Sequence, residues 1–195
     1  MHRMDAVSRA VDPLGVVLVE GVSDQRALEA LAERRGRDLE AERVSIVPIG
    51  GAQAIDRFLR RFHPSRSQVR LAGLCDEGEA AHFRRGLERA GLGAGLDTPG
   101  MERLGFYVCV ADLEDELIRA LGVTSVERVV DAQGELRSFR TLQKQAAWLG
   151  RPPAEQLRRF MGSAGTRKIR YARLLVEALD LADMPRPLDR VLDHV

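Results

Sequence analysis

The feature that most constrains the fold is an alternation of short apolar runs with amphipathic stretches. The runs are bounded by turn residues or charges and lack strict polar alternation, which predicts strands buried on both faces, as in a parallel sheet. The intervening stretches have apolar residues spaced three and four apart, which predicts helices. We therefore predict an α/β fold with a central, mainly parallel four-stranded sheet flanked by helices and joined by right-handed crossovers. The predicted strands are 16–19, 44–49, 69–75 and 106–110, and the helices between them are 24–35, 52–62 and 79–90.

A helical appendix is predicted after the fourth strand, whereas the glycine-rich segment 91–105 is predicted to be a mobile surface connection. Ser23 or Asp24 is expected to cap the first helix. The length of 195 residues suits one compact domain, or a domain with a small appendage. The predicted helices of the appendix are 114–121, 136–148, 154–160, 167–179 and 188–195.

Charge is unevenly distributed along a chain whose net charge is +1. Segment 137–173 contains ten basic residues and one acid, while the remainder is slightly acidic. This asymmetry suits a protein that holds cations in one part and contacts phosphates with another. An arginine-rich solvated surface is an equally good explanation. No run approaches the ~18 apolar residues of a membrane span, so we expect a cytoplasmic protein with no membrane partner.

Acidic residues follow three of the four predicted strands. Glu20 follows the first strand, Asp76 the third, and Asp112 and Glu114 the fourth, while Asp24 lies one turn beyond Glu20. Because the carboxyl ends of parallel strands meet at one edge, we expect these side chains to lie together. Their repulsion favours a bound cation, and Mg²⁺ prefers carboxylate oxygens. Two such ions can activate water and stabilise the leaving oxygen of a phosphodiester.

Some of these acids have structural alternatives. Asp24 also suits a helix N-cap, and acids within 112–116 suit the first turn of a helix, where the dipole favours negative charge. Glu77 and Glu79 are ambiguous for the same reason. The four histidines show no close-spaced ligand pattern, so zinc suits the chain less well.

Lysine is rare in this chain, since 28 of the 30 basic residues are arginine. The two lysines, Lys144 and Lys168, therefore stand out. A retained lysine suggests a need for a compact ammonium group, which could stabilise charge on a phosphoryl oxygen. Random drift is the alternative.

The ordered motifs resemble the TOPRIM domain, and more narrowly the TOPRIM module of the overcoming-lysogenization-defect (OLD) family nucleases. The resemblance implies a Rossmann-like TOPRIM fold and phosphodiester chemistry that depends on Mg²⁺ or Mn²⁺. It implies a TOPRIM domain at 1–135 and a basic helical extension at 136–195 that completes the site. The matching motifs are LVEGVSD (18–24), PIGG (48–51), LCD (74–76) and ADLEDEL (111–117), with a weaker likeness at GTRKIRYA (165–172).

The resemblance also assigns residue roles. It implies that Lys168 lies beside the scissile phosphate and that Gly78 replaces the second acid of a DxD motif, so that Glu77 or Glu79 substitutes or one metal is held more weakly. The implied catalytic residues are Glu20, Asp76, Glu114 and Lys168. The implied metal ligands are Glu20, Asp24, Asp76, Asp112, Glu114 and, as a substitute, Glu79. The expected nucleic-acid contacts are Arg167, Lys168, Arg170 and Lys144.

The predicted function is a metal-dependent endonuclease, with DNA favoured over RNA as the substrate. Two alternatives stay open: a non-catalytic TOPRIM module that binds nucleic acid or an ATPase partner, and a phosphohydrolase acting on small molecules. The family's nucleases usually carry an ATPase domain, and this sequence has no G-x-x-x-x-G-K-[ST] loop. Energy coupling would therefore require an ATPase partner chain, and a homodimer is also compatible with the sequence.

Overall fold

A computed structural model describes residues 12–63 and 68–195, so residues 1–11 of the predicted first domain lie outside the described part. Its sheet has four strands in the order β2-β1-β3-β4, and every neighbouring pair is parallel. The predicted α/β class is confirmed. The strands are β1 (Gly15–Val19), β2 (Val44–Pro48), β3 (Arg70–Asp76) and β4 (Phe106–Cys109).

Helices connect the strands and continue beyond the sheet. Short 3₁₀ turns occur at Ala52–Ala54, Glu77–Glu79 and Leu181–Asp183. The helices are α1 (Val22–Arg34), α2 (Ile55–Arg61), α3 (Ala80–Arg89), α4 (Thr98–Arg103), α5 (Leu113–Leu121), α6 (Val123–Ala132), α7 (Leu136–Gln143), α8 (Pro153–Met161), α9 (Gly165–Ala178) and α10 (Arg186–Asp193).

Two apolar cores cover the two faces of the sheet. Val17 and Val19 of β1 face one core, built with α1 and α5–α10, whereas Val16 and Leu18 face the other, built with α2–α4. All four side chains are fully buried. Burial on both faces explains why the strand sequences are continuously apolar.

Gly73 in β3 permits a close approach between strands. A Cβ atom at this position would lie 2.4 Å from Cδ1 of Phe106 in β4. Any larger residue would therefore force the aromatic ring or the strand to move.

The register aligns the strand ends. Val19 pairs with Pro48 and with Leu74, and Asp76 pairs with Cys109. The residues that follow β1, β3 and β4 therefore emerge at the same edge of the sheet. In addition, α9 packs along α1 and α5 and brings its first turn to this edge.

Three local predictions were wrong. The segment 91–105 contains α4, whose N-cap Asp97 accepts a hydrogen bond from the Gly100 N–H (2.7 Å) and whose Met101 is buried. The helix predicted over 136–148 ends at Gln143, and α6 was not predicted. In the described ranges, every helix is too short or too polar to cross a membrane.

Candidate functional site

Glu20 joins the ends of the two central strands. Its Oε1 accepts a hydrogen bond from the backbone N–H of Asp76 (2.8 Å). Burial raises the pKa of Glu20, as do the charges of Asp24 and Glu79, while the hydrogen bond from Asp76 and the charge of Lys168 oppose this rise. The hydrogen bond from Asp76 therefore fixes the carboxylate of Glu20 beside the end of β3.

Asp24 lies in the first turn of α1, with a residue exposure of 8%. Its Oδ2 accepts the backbone N–H of Gly21 (2.8 Å). The N-cap is Gly21 itself, so the expectation that Ser23 or Asp24 caps the helix was wrong. Asp24 is the third residue of α1, and its side chain instead accepts the backbone N–H of the N-cap residue. Burial raises the pKa of Asp24.

Asp76 is the last residue of β3 and is half-buried. Burial, followed by the charges of Glu20, Asp24 and Asp112, raises its pKa to about 7, although Lys168 opposes the shift. Several carboxylates thus share one low-dielectric region and disfavour one another's ionised forms.

Glu114 and Lys168 form an ion pair that crosses from α5 to α9. Glu114 is buried, and its Oε2 lies 3.2 Å from the Lys168 Nζ. Burial raises the pKa of Glu114 to about 7 despite this ammonium group. Its Oε1 is buried and has no hydrogen-bond partner in the described structure. Burial lowers the pKa of Lys168, but Glu114, Asp24 and Asp76 outweigh it and the net shift is upward.

Asp112 has both carboxylate oxygens engaged. It is the N-cap of α5, where Oδ1 accepts the Asp115 N–H (2.9 Å). Its Oδ2 lies 2.6 Å from the guanidinium of Arg158 in α8. Ala111 before it has a left-handed φ of 63°, which marks a strained turn between β4 and α5. Asp112 is thus less available to a cation than Glu114.

Glu79 and Glu77 differ in their relation to the site. The charge of Glu79 is among those that raise the pKa of Glu20. Glu77 is exposed, and its carboxylate accepts the N–H of Ala111 at 3.4 Å. Of the two candidate substitutes for the acid missing at Gly78, Glu79 therefore interacts with the acidic edge.

The donor set suits a hard divalent cation, although the side chains are not gathered around a single point. Within 12–63 and 68–195, no three His, Cys, Asp or Glu side chains form a ready-made metal site. The acids nevertheless offer carboxylate oxygens from three strand ends, including the unpartnered Oε1 of Glu114. Burial and, after it, the charges of neighbouring acids raise the pKa values of Asp76 and Glu114, and a bound cation would favour their ionised forms. The chemistry of these donors therefore suits a hard divalent cation, although the side chains would have to move closer together to bind one.

Most of the basic segment 137–173 pairs with acids. Arg167 and Arg170 both pair with Glu135, and Lys168 with Glu114. Three basic residues of the segment have no ion pair in the described part of the chain: Arg137, Lys144 and Arg159. Of these, Lys144 was predicted to contact nucleic acid, and it is exposed. The other pairs are Arg140–Glu127, Arg151–Glu155, Arg158–Asp112 and Arg173 with Glu33 and Glu177.

A cleft of about 640 Å³ adjoins the acidic edge. Asp112, Glu114 and Lys168 line it together with Trp148, Arg158 and Arg159. The last three were not predicted as site residues. Nothing in the sequence distinguishes the two adjacent arginines of α8 from the other arginines of this arginine-rich segment. Trp148 was missed because it was placed within a predicted helix, whereas it lies beyond the end of α7.

Comparison with known proteins finds a domain family that part of the chain matches and solved structures with a similar fold. Residues 14–77 match the family model described as the TOPRIM domain of overcoming lysogenization defect protein-like proteins. The structure is similar to the C-terminal region of the OLD protein of Xanthomonas campestris pv. campestris, with a TM-score of 0.73 and 22% identity over 94% of this chain and 92% of that one.

The corresponding region from Burkholderia pseudomallei gives a TM-score of 0.72 at 18% identity, over 94% of this chain and 97% of that one. At these identities, the likeness establishes the fold alone, through the helical appendix as well as the sheet. No curated protein matches the chain.

Proposed function

We propose that this chain, whose residues 14–77 match an OLD-like TOPRIM domain, is a divalent-metal-dependent nuclease that hydrolyses phosphodiester bonds, preferentially in DNA. The observation that carries the proposal is that acids from three strand ends lie at one edge of the sheet, where Glu114 pairs with an ammonium group. Asp76 and Glu114 both have pKa values raised to about 7, and Lys168 lies 3.2 Å from Glu114. Acids with strongly perturbed pKa values at one edge of a sheet, one of which lines the adjoining cleft, are typical of a functional site.

The carboxylates would hold Mg²⁺ or Mn²⁺. Glu20, Asp76 and Glu114 are the principal ligands in this proposal, with Asp24 and Glu79 flanking them. When bound, the ion makes water more acidic and neutralises charge on phosphate oxygens. Asp112 contributes indirectly, because it orients Arg158 in the adjoining cleft.

Lys168 would stabilise the charge that develops at phosphorus. Its side chain is about one-third exposed and lines the cleft, so we expect a phosphoryl oxygen to reach it from there. Glu114 holds this group in place and keeps it protonated, since the pair raises the pKa of Lys168. A positioned cation that meets charge formed in the transition state accelerates the chemical step.

Cleavage assays with supercoiled, linear and single-stranded DNA and with RNA, each in Mg²⁺ and in Mn²⁺, test the proposal. Glu20→Gln and Asp76→Asn should abolish cleavage while the circular dichroism spectrum stays unchanged. The matched control is Asp131→Asn, which alters an exposed acid of α6 and should retain activity. Undiminished cleavage in both site variants would overturn the proposal.

A second candidate is metal-dependent binding of nucleic acid without hydrolysis, in a module that an ATPase partner chain would complete. It is favoured by Gly78 in place of the second DxD acid and by the absence of three converged ligands from the described ranges. Calorimetry with Mg²⁺ separates the candidates. Binding of the ion and of DNA without cleavage in any buffer would favour this second function. A separate assay with para-nitrophenyl phosphate as the substrate tests for small-molecule phosphohydrolase activity.

A further inference from the structure

Trp148 lines the cleft beside the acidic edge and is held there by a buried amide. Its carbonyl oxygen accepts the Nε2 group of Gln156 (2.7 Å), and Gln143 in turn donates to the Gln156 Oε1 (2.7 Å). Gln156 is only 5% exposed, so this connection anchors the loop from within the protein. Trp148 itself is half-buried and lines the cleft, and the guanidinium of Arg151 lies over its ring at 6.0 Å from the centroid.

The charges lining the cleft leave one cation available. Asp112 pairs with Arg158, and Glu114 with Lys168. The two remaining acids of the lining are also paired, Asp115 with Arg119 (2.7 Å) and Glu155 with Arg151 (3.7 Å). Arg159 alone among the lining's basic residues has no acidic partner in the part of the chain that the structure describes. An anionic ligand can therefore approach Arg159 without breaking an existing ion pair.

A cleft lined by both an aromatic side chain and an available arginine matches the chemistry of a nucleotide, which has a flat base and a charged phosphate. We propose that this cleft binds one unpaired nucleotide of a nucleic-acid strand, with its base stacked on Trp148 and its phosphate beside Arg159. A base inside a duplex already stacks on both neighbours, so only an unpaired or extruded base can use Trp148. The proposal rests on the proposed nuclease function and specifies its substrate: strands with unpaired bases next to the scissile bond.

The intrinsic fluorescence of the protein provides a direct assay, because Trp148 is the only tryptophan. The full chain with Glu20→Gln is titrated in EDTA with oligo-dT, with oligo-U and with a blunt duplex of equal length. We expect saturable quenching by the single strands and weaker binding of the duplex. The two single strands distinguish DNA from RNA as the source of the nucleotide.

Two variants locate the contact by anisotropy of labelled strands. Trp148→Ala should weaken single-strand binding about five-fold or more, as expected for loss of one stacked base, while Trp148→Phe retains most of the affinity. Arg159→Ala should lower the salt dependence of binding by about one phosphate contact. The control Arg60→Ala changes an exposed arginine of α2 on the opposite face of the sheet and should have no effect.

The outcomes separate this inference from the proposed chemistry. Binding at Trp148 without cleavage by the unmutated protein would support the cleft and remove the nuclease assignment. Cleavage with unchanged affinity in Trp148→Ala and Arg159→Ala would overturn the cleft alone. Absence of quenching, or equal affinity for single strand and duplex, would also overturn it.

Discussion

Asp76→Asn should stabilise the metal-free protein while removing stabilisation by Mg²⁺. The pKa of Asp76 is about 7 in the folded protein, against about 4 in an unfolded chain. This difference of about three pH units corresponds to about 4 kcal/mol of disfavoured ionisation. Because Asp76 is half-buried, solvent screening reduces the expected effect to about 1–2 kcal/mol.

The sign of the pH dependence follows from the raised pKa. The folded protein binds this proton more tightly than the unfolded chain, so the free energy of unfolding falls as pH rises from about 4 to about 7 and is level above that. Asparagine removes this loss. At pH 8 in EDTA, the variant should therefore melt about 3–6 °C above the unmutated protein.

Thermal unfolding in EDTA and in millimolar Mg²⁺ measures both parts of this prediction, with Asp131→Asn as the control. Mg²⁺ should raise the melting temperature of the unmutated protein and of the control, but barely that of Asp76→Asn. The reasoning is refuted if Asp76→Asn melts below the unmutated protein in EDTA, or if Mg²⁺ stabilises all three proteins equally.

Three further measurements test the site and the core. Lys168→Arg should keep the fold, because a guanidinium can still pair with Glu114, but should lower the cleavage rate at least ten-fold; cleavage at the unmutated rate would contradict the need for a compact ammonium group. Affinity for Mg²⁺ by calorimetry should rise from pH 6 to pH 8, because carboxyls with pKa values of about 7 lose their protons over that range; pH-independent affinity would exclude Asp76 and Glu114 as ligands. Gly73→Ala should lower the free energy of unfolding in urea by about 1–3 kcal/mol, because its Cβ would clash with an aromatic ring, whereas Gly78→Ala, with open space around it, should be neutral.

The strands were predictable because burial on both faces leaves a continuous apolar run, as in Val16–Val19. Helix α4 was not predictable, because the several glycines of segment 91–105 locally indicate a loop. Its stability depends instead on the tertiary packing of Met101 and on the cap from Asp97, which the local sequence does not show. Helix α6 was missed for the same reason. Its stability depends on the burial of Val126 and Val130 against the rest of the appendix, and the local periodicity alone indicates this short apolar face only weakly.

The acids of the site were predictable from topology, because parallel strands deliver their ends to one edge. Which carboxylate oxygens remain without a partner was not predictable. Glu114 has an unpartnered buried oxygen, whereas both oxygens of Asp112 are occupied, one by the start of α5 and one by Arg158. This distinction depends on contacts between segments 46 residues apart, and no local pattern encodes it.

The basic segment illustrates how charge counts and charge availability differ. Sequence distribution suggests a phosphate-binding surface, yet Arg167 and Arg170 are both engaged by Glu135, which also accepts the hydroxyl of Tyr171 (2.8 Å). Breaking such a cluster to contact a phosphate would leave a half-buried carboxylate without its partners, which is costly. Phosphates should therefore be contacted first by cations that have no such partner, above all Arg159 beside the acidic edge. We therefore expect phosphate contacts of this appendix to depend on the unpaired basic residues rather than on the total positive charge, so that the one unpaired arginine of the cleft contributes more than its paired neighbours.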